Sequence, residues 1–543
     1  MKIKKEHIVL ACILLIGIIA RILKFNDPAF VLDTVAFSRL GKNLVEYGRY
    51  TFGENYNMGV FFPPGYPLFI GLLNLMVKDL FISAKLISFI SSSVTILLSY
   101  CVGKELYNEE SGLFAAFVYA LYPVILAVSV DAYSDALFFC FLLLSIYLFL
   151  ISLKKDNYFM SSLIGVSLAA AYLTRPEGQF LLLLPFLQVF GVFSEKLSFN
   201  RKYLFRAAFI FLVFGLVISP YMLFLKNYTG EFSPTGKANI SILLGELSDD
   251  REYHEVVNSP DNTYDRAAFA LTKDKSELQG WNRRENRSLK EYLFYDPLTL
   301  IKRYQKNVMR EIKTLIKLLI PIILPLFFAF FYRELFQKKI RLIFIIFPLL
   351  FFFMYPMFII IEKQTLLIVV FLILFSSGGF SNSQQAYSAL ITFYGLEKNR
   401  TLQFVGRNIK YLIVIILILS SMSYLKYSKF DNVPDPIEHK RAGIFVKETV
   451  NAAYEKLNIM SARPYVSYYC DARFTMLPYA DSADVFNFGT LHNVDYIVID
   501  KRHLGRWDNY DELKNMHEHV PGVELVYEDN SPELLRLFKI KNE

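Results

Sequence analysis

Residues 27–67 read DPAFVLDTVAFSRLGKNLVEYGRYTFGENYNMGVFFPPGYP, and they follow directly on an apolar run that is long enough to cross a membrane. The segment contains acids, arginines, many aromatic residues and a double proline, none of which a simple hydrophobic anchor requires. Ionisable groups at the edge of a membrane cost free energy and usually face a cavity or a functional site. The sequence therefore predicts that this first loop contains the chemically important residues.

The apolar residues, which make up 54% of the 543-residue chain, are concentrated in long runs. Runs of about 18 or more apolar residues with few charges are typical of transmembrane helices. The sequence contains about eleven such runs, at 8–24, 85–103, 112–129, 135–153, 158–174, 178–194, 205–225, 312–332, 339–360, 364–380 and 410–426. The shorter segment Gly65–Val77 predicts a re-entrant or interfacial helix. The predicted fold class is therefore a polytopic α-helical membrane protein of the plasma membrane.

The basic residues predict the orientation of the chain in that membrane. Lysines and arginines precede the first span and recur in alternate loops, and the positive-inside rule places such loops in the cytoplasm. The first loop (25–67), a long polar loop (226–311) and everything after Tyr427 then lie outside the cytoplasm, while the N-terminus lies inside. This orientation accounts for the net charge of +8, and we do not expect nucleic acid as a partner.

The chain changes character near residue 428. Residues 1–427 are predicted to form the membrane body, and residues 428–543 begin with a linker, Asp431–Pro436, that contains two prolines. Strand-like and helical patterns alternate there, which predicts a small extracytoplasmic α/β domain. The predicted strands are Tyr465–Tyr469, Tyr496–Asp500, Val523–Tyr527 and Leu535–Ile540, and the predicted helices are Arg441–Leu457 and Asn509–His519.

Asp33 is the first candidate for a chemical role. A carboxylate at the membrane interface could act as a general base on an acceptor hydroxyl or amine, or it could hold a divalent cation. The alternative is structural, because Asp33 precedes the helix-like run Thr34–Glu46 and aspartate is a good N-cap residue.

Two short outer turns contain further candidates. Asp131 and Asp135 flank a five-residue turn, and either they contribute to a site with Asp33 or Asp135 caps the following span. Arg175 and Glu177 lie in the turn Thr174–Gly178. The fork of an arginine suits a phosphate, but Arg175 could equally pair with Glu177 or reach the lipid headgroups.

The remaining motifs are less specific. The rigid aromatic and proline run Phe61–Pro67, with Tyr66, could form a wall for a lipid tail or belong to an interfacial aromatic belt. His517 and His519 have no third ligand at metal spacing, so we interpret them as surface residues. The four cysteines form neither a disulfide framework nor a paired metal motif.

In their order along the chain, these segments resemble the polyprenyl-phosphate-sugar-dependent glycosyltransferases of the GT-C fold. The resemblance is to the group that contains protein O-mannosyltransferases and the lipid A aminoarabinose transferase, which is glycosyltransferase family 39-like. The segments that carry it are Asp33–Leu44, Pro63–Leu68, Ser134–Leu137 and Leu173–Gly178, with Pro464–Tyr469 and Val494–Asp500 in the tail.

The resemblance implies roles for particular residues. Asp33 matches the usual candidate for the catalytic base, and Asp135, with Asp131 as its neighbour, matches an acid that supports the site or a metal. If a divalent metal ion is used, Asp33 and Asp135 are the expected ligands; no other cofactor is expected. Arg175 is the candidate phosphate contact, and Glu177 and Tyr66 are further candidates for substrate binding.

The sequence departs from these relatives at two places. Phe62 stands before the first-loop proline, where aminoarabinose-type relatives often have a lysine. A late span opens with Glu-Lys-Gln at 362–364, where many relatives have an Arg-Tyr-Leu-Leu-Pro run, and Lys363 is the candidate to replace that arginine.

The predicted function is transfer of one sugar, with inversion, from a polyprenyl-phosphate donor to a lipid, glycan or protein acceptor on the outer face. One alternative is an oligosaccharide ligase or polymerase that uses a diphosphate-linked donor. A flippase or transporter is the other, although transporters usually place charged groups near the middle of the membrane, and here the acids cluster at one edge.

Overall fold

A computed structural model describes residues 4–25, 32–53, 58–155, 157–193, 198–230, 232–236, 263–279, 297–331, 339–357, 362–427, 436–450 and 457–541. The chain divides into two compact units, each built from three stretches. The first comprises Met1–Asp27, Ala84–Pro234 and Leu298–Asn432, and the second comprises Pro28–Ser83, Thr235–Pro297 and Val433–Glu543. The predicted domains were instead continuous in sequence, with their boundary between residues 427 and 428.

Most of the α-helices belong to the first unit. They are Lys5–Phe25, Leu80–Leu106, Glu109–Leu121, Pro123–Val128, Asp135–Ser152, Tyr158–Thr174, Leu183–Val189, Arg201–Thr229, Pro297–Leu319, Ile323–Phe331, Ile343–Met354, Glu362–Ser381, Ser383–Phe393 and Arg400–Tyr427. Short 3₁₀ segments occur at Pro176–Leu182, Ile320–Ile322, Lys339–Leu342 and Tyr355–Met357.

Eight helices within the described residues are long and apolar enough to cross a membrane, which confirms the predicted class of multi-pass membrane protein. Burial separates a central helix from the peripheral ones. The span Gln364–Ser381 is 89% buried by its neighbours, whereas Lys5–Phe25 is only 17% buried and presents apolar side chains outwards. Such outward apolar surface is what a lipid environment accommodates.

The predicted count of about eleven spans is not confirmed. The run at 112–129 forms two helices, Glu109–Leu121 and Pro123–Val128, because Tyr122 takes an extended conformation before Pro123. The run at 178–194 begins as the 3₁₀ segment Pro176–Leu182 before the short helix Leu183–Val189. Prolines at the start of these segments thus interrupt the helix in apolar runs that composition alone predicts to be single spans.

The second unit contains a five-stranded mixed sheet. Its strands are β1 (Asn458–Ser461), β2 (Arg473–Met476), β3 (Tyr496–Asp500), β4 (Val523–Asp529) and β5 (Leu535–Ile540), in the order β2-β1-β3-β5-β4. β1 pairs in parallel with β2 and β3, whereas β5 pairs antiparallel with β3 and β4. This confirms the small α/β domain in the C-terminal part of the chain.

The helices of this unit come from the first loop, from the region near residue 265 and from the C-terminal part of the chain that contains the sheet. They are Leu32–Tyr47, which we call the first-loop helix, Gly65–Val77, Thr263–Phe269, Ile437–Val450, Tyr465–Cys470, Ser482–Leu491, Lys501–Leu504, Tyr510–Lys514 and Met516–His519. β1 and β3 are buried along their whole length, as expected for strands covered on both faces.

One predicted strand is wrong, because Tyr465–Tyr469 lies in the helix Tyr465–Cys470. Pro464 stands directly before this helix, where its fixed φ angle and missing N–H favour a helix start. The helix also belongs to the connection between the parallel strands β1 and β2, and parallel neighbours require such a crossover.

The first-loop helix is part of the hydrophobic core of the second unit. Val35, Leu40 and Phe52 are buried in the same cluster as Phe474 of β2 and Ile497 of β3. The rings of Phe52 and Phe474 stack with centroids 5.6 Å apart. The predicted site loop is therefore packed against the sheet by apolar burial.

Candidate functional site

Asp33 lies in the first turn of the first-loop helix and is half-buried. The helix begins at Leu32, so Asp33 is its second residue and not the predicted N-cap, although a carboxylate in the first turn still interacts favourably with the helix dipole. Burial raises the pKa of Tyr465 to about 12, and the negative charge of Asp33 acts in the same direction. Asp33 is thus within electrostatic range of Tyr465 inside the second unit.

Tyr66 belongs to the same unit and is fully buried near the start of Gly65–Val77. Its ring meets Phe37 edge to face, with centroids 5.2 Å apart, and Phe37 in turn contacts Phe62 at 4.6 Å. These aromatic residues of the first loop form a packed cluster that holds the Tyr66 ring in place.

Three of the predicted site residues come together in the first unit. The guanidinium of Arg175 donates from Nη1 to Asp135 Oδ1 and from Nη2 to Glu177 Oε1, the second at 2.9 Å. The side chains are 4% exposed for Asp135 and 19% for Arg175, so the cluster is largely shielded from solvent. Burial by itself lowers the pKa of Arg175, but Glu177 and Asp135 outweigh burial and raise it, so the arginine stays charged.

Helix ends position this cluster. Asp135 is the first residue of Asp135–Ser152, and Arg175 follows directly on the last residue of Tyr158–Thr174. The guanidinium also lies 5.7 Å from the ring centroid of Phe138, one turn into the first of these helices. A charged cluster is therefore held where two apolar helices of the first unit begin and end.

Two further residues of this region were missed from the sequence. Tyr355, at the end of Ile343–Met354, interacts electrostatically with Arg175 and Glu177 and also with Glu311. Glu311 is fully buried, and its Oε2 accepts a hydrogen bond of 3.1 Å from Thr365 Oγ1. Glu311 Oε1 and the Tyr355 hydroxyl have no hydrogen-bond partner among the described residues. Buried polar atoms left in this state are typical of sites that bind a ligand or water.

The other predicted residues have less definite surroundings. Asp131 is half-buried in the turn that precedes Asp135, and its backbone oxygen accepts from the Tyr133 N–H at 2.8 Å. Lys363 lies in the helix Glu362–Ser381, but its side chain is outside the described residues.

The predicted metal ligands do not fit a metal ion well. Within the described parts of the chain, neither Asp33 nor Asp135 belongs to a group of three ligand side chains. One oxygen of Asp135 is already engaged by Arg175. Divalent cations such as Mg²⁺ and Ca²⁺ prefer several oxygen ligands in one place, so we derive no step through a metal here.

The second unit also contains a polar cavity of roughly 630 Å³ beside the first-loop helix. Basic side chains outnumber acidic ones in its wall: Arg39, Lys42, Lys78, Lys440 and Lys447 against Glu46, Asp79 and Asp471. Asp471 pairs with Arg39 and, at 2.5 Å, with Lys42, which ties the first-loop helix to the C-terminal part of the chain. The excess of basic groups suits an anionic ligand.

Comparison with known proteins gives a match to a family model over part of the chain and a fold over almost all of it. Residues 62–223 match the family model described as dolichyl-phosphate-mannose-protein mannosyltransferase. No curated protein sequence matches the chain.

Several solved structures are similar across almost the whole chain. One is the oligosaccharyltransferase of Archaeoglobus fulgidus, with a TM-score of 0.57 and 14% identity over 96% of this chain and 73% of that one. Another is ArnT of Cupriavidus metallidurans bound to undecaprenyl phosphate, with a TM-score of 0.57 and 10% identity over 98% of this chain and 97% of that one. The chain therefore has the GT-C fold of these solved structures, and the family match lies within it at residues 62–223.

Proposed function

We propose that the chain transfers a single sugar from a polyprenyl-phosphate donor to an acceptor on the extracytoplasmic face of the plasma membrane. The observation that carries this proposal is the buried Asp135–Arg175–Glu177 cluster at the ends of apolar helices. A polyprenyl phosphate suits this arrangement of a cation at the ends of apolar helices. Its tail requires an apolar environment, and its phosphate requires a cation at the membrane edge. The alternating basic loops support the orientation, with the N-terminus in the cytoplasm.

The names of similar proteins support this donor class. The matching family model is named for a dolichyl-phosphate-mannose-dependent enzyme, and the ArnT structure contains undecaprenyl phosphate. The oligosaccharyltransferase of A. fulgidus has been solved with an inhibitory peptide and a dolichol-phosphate. These ligands belong to those proteins, and we transfer only their shared chemistry, a lipid-linked phosphate.

In the proposed reaction an acceptor oxygen or nitrogen attacks the anomeric carbon of the donor sugar from the face opposite the phosphate. The bond from that carbon to the phosphate oxygen breaks, and the configuration inverts. Asp33 takes the proton of the acceptor, and the leaving polyprenyl phosphate keeps the electron pair. Because this leaving group is already a stabilised anion, positioning and charge neutralisation supply most of the catalysis.

Arg175 is proposed to contact the phosphate. A phosphate would compete with Asp135 and Glu177 for the guanidinium, and donor binding would then release one of these carboxylates. Asp135, Asp131 and Glu177 would hold the arginine in position between turnovers. Tyr66 and Lys363 are the remaining candidates for contact with the donor.

The second candidate function is transfer of an oligosaccharide from a diphosphate-linked donor, because the A. fulgidus relatives are named oligosaccharyltransferases. Radiolabelled monophosphate- and diphosphate-linked donors offered separately to the protein in liposomes would distinguish the two. We expect transfer from the monophosphate donor. Transfer from the diphosphate donor alone would favour the second candidate, and movement of labelled lipid between leaflets without transfer would indicate a flippase.

A further inference from the structure

Three metal-ligating side chains meet in the C-terminal part of the second unit, and none of them has a role in the proposed sugar transfer. Asp500 ends β3, His503 lies on the short helix Lys501–Leu504 that follows, and His439 lies on Ile437–Val450. One ligand atom from each lies within 4.8 Å of the others. The fold thus brings His439 to Asp500 and His503, which lie 61 and 64 residues further along the chain.

The geometry leaves two buried polar atoms facing each other. His439 and Asp500 are both fully buried, and His439 Nε2 lies 3.5 Å from Asp500 Oδ2. Neither atom has a hydrogen-bond partner among the described residues. The other oxygen of Asp500 accepts from the backbone N–H of His503 at 2.7 Å and lies 2.8 Å from His503 Nδ1. Buried polar atoms without partners cost free energy, which a bound cation would offset.

The surroundings of His439 orient its ring as in metal sites. Its Nδ1 lies 3.2 Å from Glu438 Oε1, and Arg502 fixes Glu438 with contacts of 2.5 and 3.0 Å. A metal-ligating histidine usually donates its other ring N–H to a carboxylate, which fixes the tautomer. With the proton on Nδ1, Nε2 carries the free lone pair and lies 3.5 Å from Asp500 Oδ2.

We propose that His439, Asp500 and His503 bind a divalent transition-metal ion of the zinc class. Imidazole nitrogens suit Zn²⁺ and similar ions, whereas Mg²⁺ and Ca²⁺ take oxygen ligands. Three protein ligands leave a fourth tetrahedral position for water or another ligand. That position is on the His503 side, because the His503 side chain is 17% exposed while the other two are buried.

The site is connected to the first loop through Tyr465. The ring of Tyr465 packs against His439 and His503, with centroids 5.5 and 5.7 Å apart, and it also interacts electrostatically with Asp33. A bound ion would therefore rigidify the region that adjoins the proposed catalytic base. The metal proposal does not rest on the proposed sugar transfer, and its test uses no activity measurement.

The competing explanation is an internal ion-pair network without metal, in which a doubly protonated His439 bridges Glu438 and Asp500. To separate the two, the full-length protein in detergent is stripped with a chelator and titrated with Zn²⁺, and separately with Co²⁺. We expect one Zn²⁺ per chain by elemental analysis, a raised thermal midpoint and a visible Co²⁺ absorption band that Zn²⁺ displaces. A folded wild-type chain without bound ion and without any of these changes would overturn the proposal.

Variants locate the ion. His503→Ala removes the most exposed ligand and should weaken Zn²⁺ affinity on the order of 100-fold or more, and Glu438→Gln should weaken it about 10- to 100-fold. His519→Ala, which alters an exposed histidine of the same unit, is the control and should bind as the wild type does. Wild-type affinity in His503→Ala would contradict the site. If that variant does not fold, the wild-type Co²⁺ spectrum decides, since nitrogen and oxygen ligands must account for its band.

Discussion

Arg175 tests the proposed donor site, because its guanidinium is the proposed contact of the donor phosphate. In the structure it pairs with the carboxylates of Asp135 and Glu177. Arg175→Lys keeps the charge but loses the fork that can hold two oxygens at once. We expect sugar transfer to fall roughly 10- to 100-fold with the fold intact, by comparison with the loss of one well-placed donor group. Transfer in liposomes and the thermal midpoint are the measurements.

Arg266→Lys is the matched control, because Arg266 also pairs with a carboxylate, that of Asp508, but both are exposed. Exposed pairs contribute little, so this variant should behave as the wild type. Equal loss of transfer in both variants, or none in Arg175→Lys, would contradict a special role for Arg175.

Cys470 gives a second prediction at the residue scale. Burial raises the pKa of this thiol to about 12 from the usual 9.0, so the folded chain favours the neutral form. The free energy of unfolding should therefore decrease as the pH rises from about 9 towards 12, since only the unfolded chain ionises readily there.

Thiol labelling tests whether Cys470 is buried and kept neutral in this way. In a variant whose Cys12, Cys101 and Cys140 are replaced by serine, Cys470 should react several hundredfold more slowly at pH 9 than in the denatured chain, to an order of magnitude. Equal labelling rates in the folded and denatured protein would show that the thiol is neither buried nor shifted.

The sequence predicted part of the candidate site at this scale. Asp135, Arg175 and Glu177 stand out because charged residues are unusual in short turns between apolar runs, and the structure brings them together. Tyr355 and Glu311 do not stand out, because a tyrosine in an apolar run resembles an interfacial belt residue and a single glutamate resembles a helix-surface residue. The cluster of His439, Asp500 and His503 was missed because His439 is far from the other two in sequence. Only the fold of the second unit brings it beside the end of β3.

At the scale of the element, the first-loop helix depends on a close approach to Gly65–Val77. A Cβ at Gly41 would lie 2.2 Å from the backbone oxygen of Pro67, and one at Gly71 would lie 2.2 Å from that of Gly41. Glycine at both positions lets the two backbones touch, as small residues do at tight helix crossings.

Gly41→Ala should therefore destabilise the protein by about 1–3 kcal/mol, the range for overpacking a close contact. The thermal midpoint in detergent measures the effect. Gly215→Ala is the control, since a Cβ there meets no atom within 4 Å, and it should leave the midpoint unchanged or raise it. If both variants melt at the same temperature, the close helix crossing is not a determinant of stability.

Local pattern explains which elements were predicted correctly. β3 and β5 have uninterrupted apolar or alternating runs and were predicted with the bounds they have, Tyr496–Asp500 and Leu535–Ile540. β1 and β2 are four residues each and were not predicted, because runs this short carry little periodic signal. The helix Tyr465–Cys470 was predicted as a strand because its tyrosines and valine have high β propensity, which the crossover overrides.

At the scale of the whole molecule, the sequence shows a membrane body and an α/β segment but not the composition of the second unit. Arg39 and Asp471 form an ion pair across 432 residues of sequence. No local pattern reports such a contact, so the joining of the first loop to the C-terminal sheet is visible only in the structure.

This shared core predicts the effect of a truncation. A chain that ends at Tyr427 lacks Phe474 and Ile497, the sheet residues that help to bury Val35, Leu40 and Phe52. Loss of several large buried contacts, each contributing about 2–5 kcal/mol, should unfold the first-loop helix. Limited proteolysis should then cleave within residues 28–83 of the truncated chain, at sites protected in the full-length protein. Unchanged protection would mean that this segment folds without the sheet.

The most direct test of the account compares wild type with Asp33→Asn for sugar transfer from radiolabelled polyprenyl-phosphate sugars in liposomes, with donor binding measured in parallel. Asp511→Asn, which alters an exposed carboxylate elsewhere in the same unit, is the control. If Asp33 is the catalytic base, transfer should fall about 100- to 10,000-fold in Asp33→Asn, while donor affinity and the control stay unchanged. Undiminished transfer in Asp33→Asn would contradict this role and leave the base to be found elsewhere, with Asp135 as the next candidate.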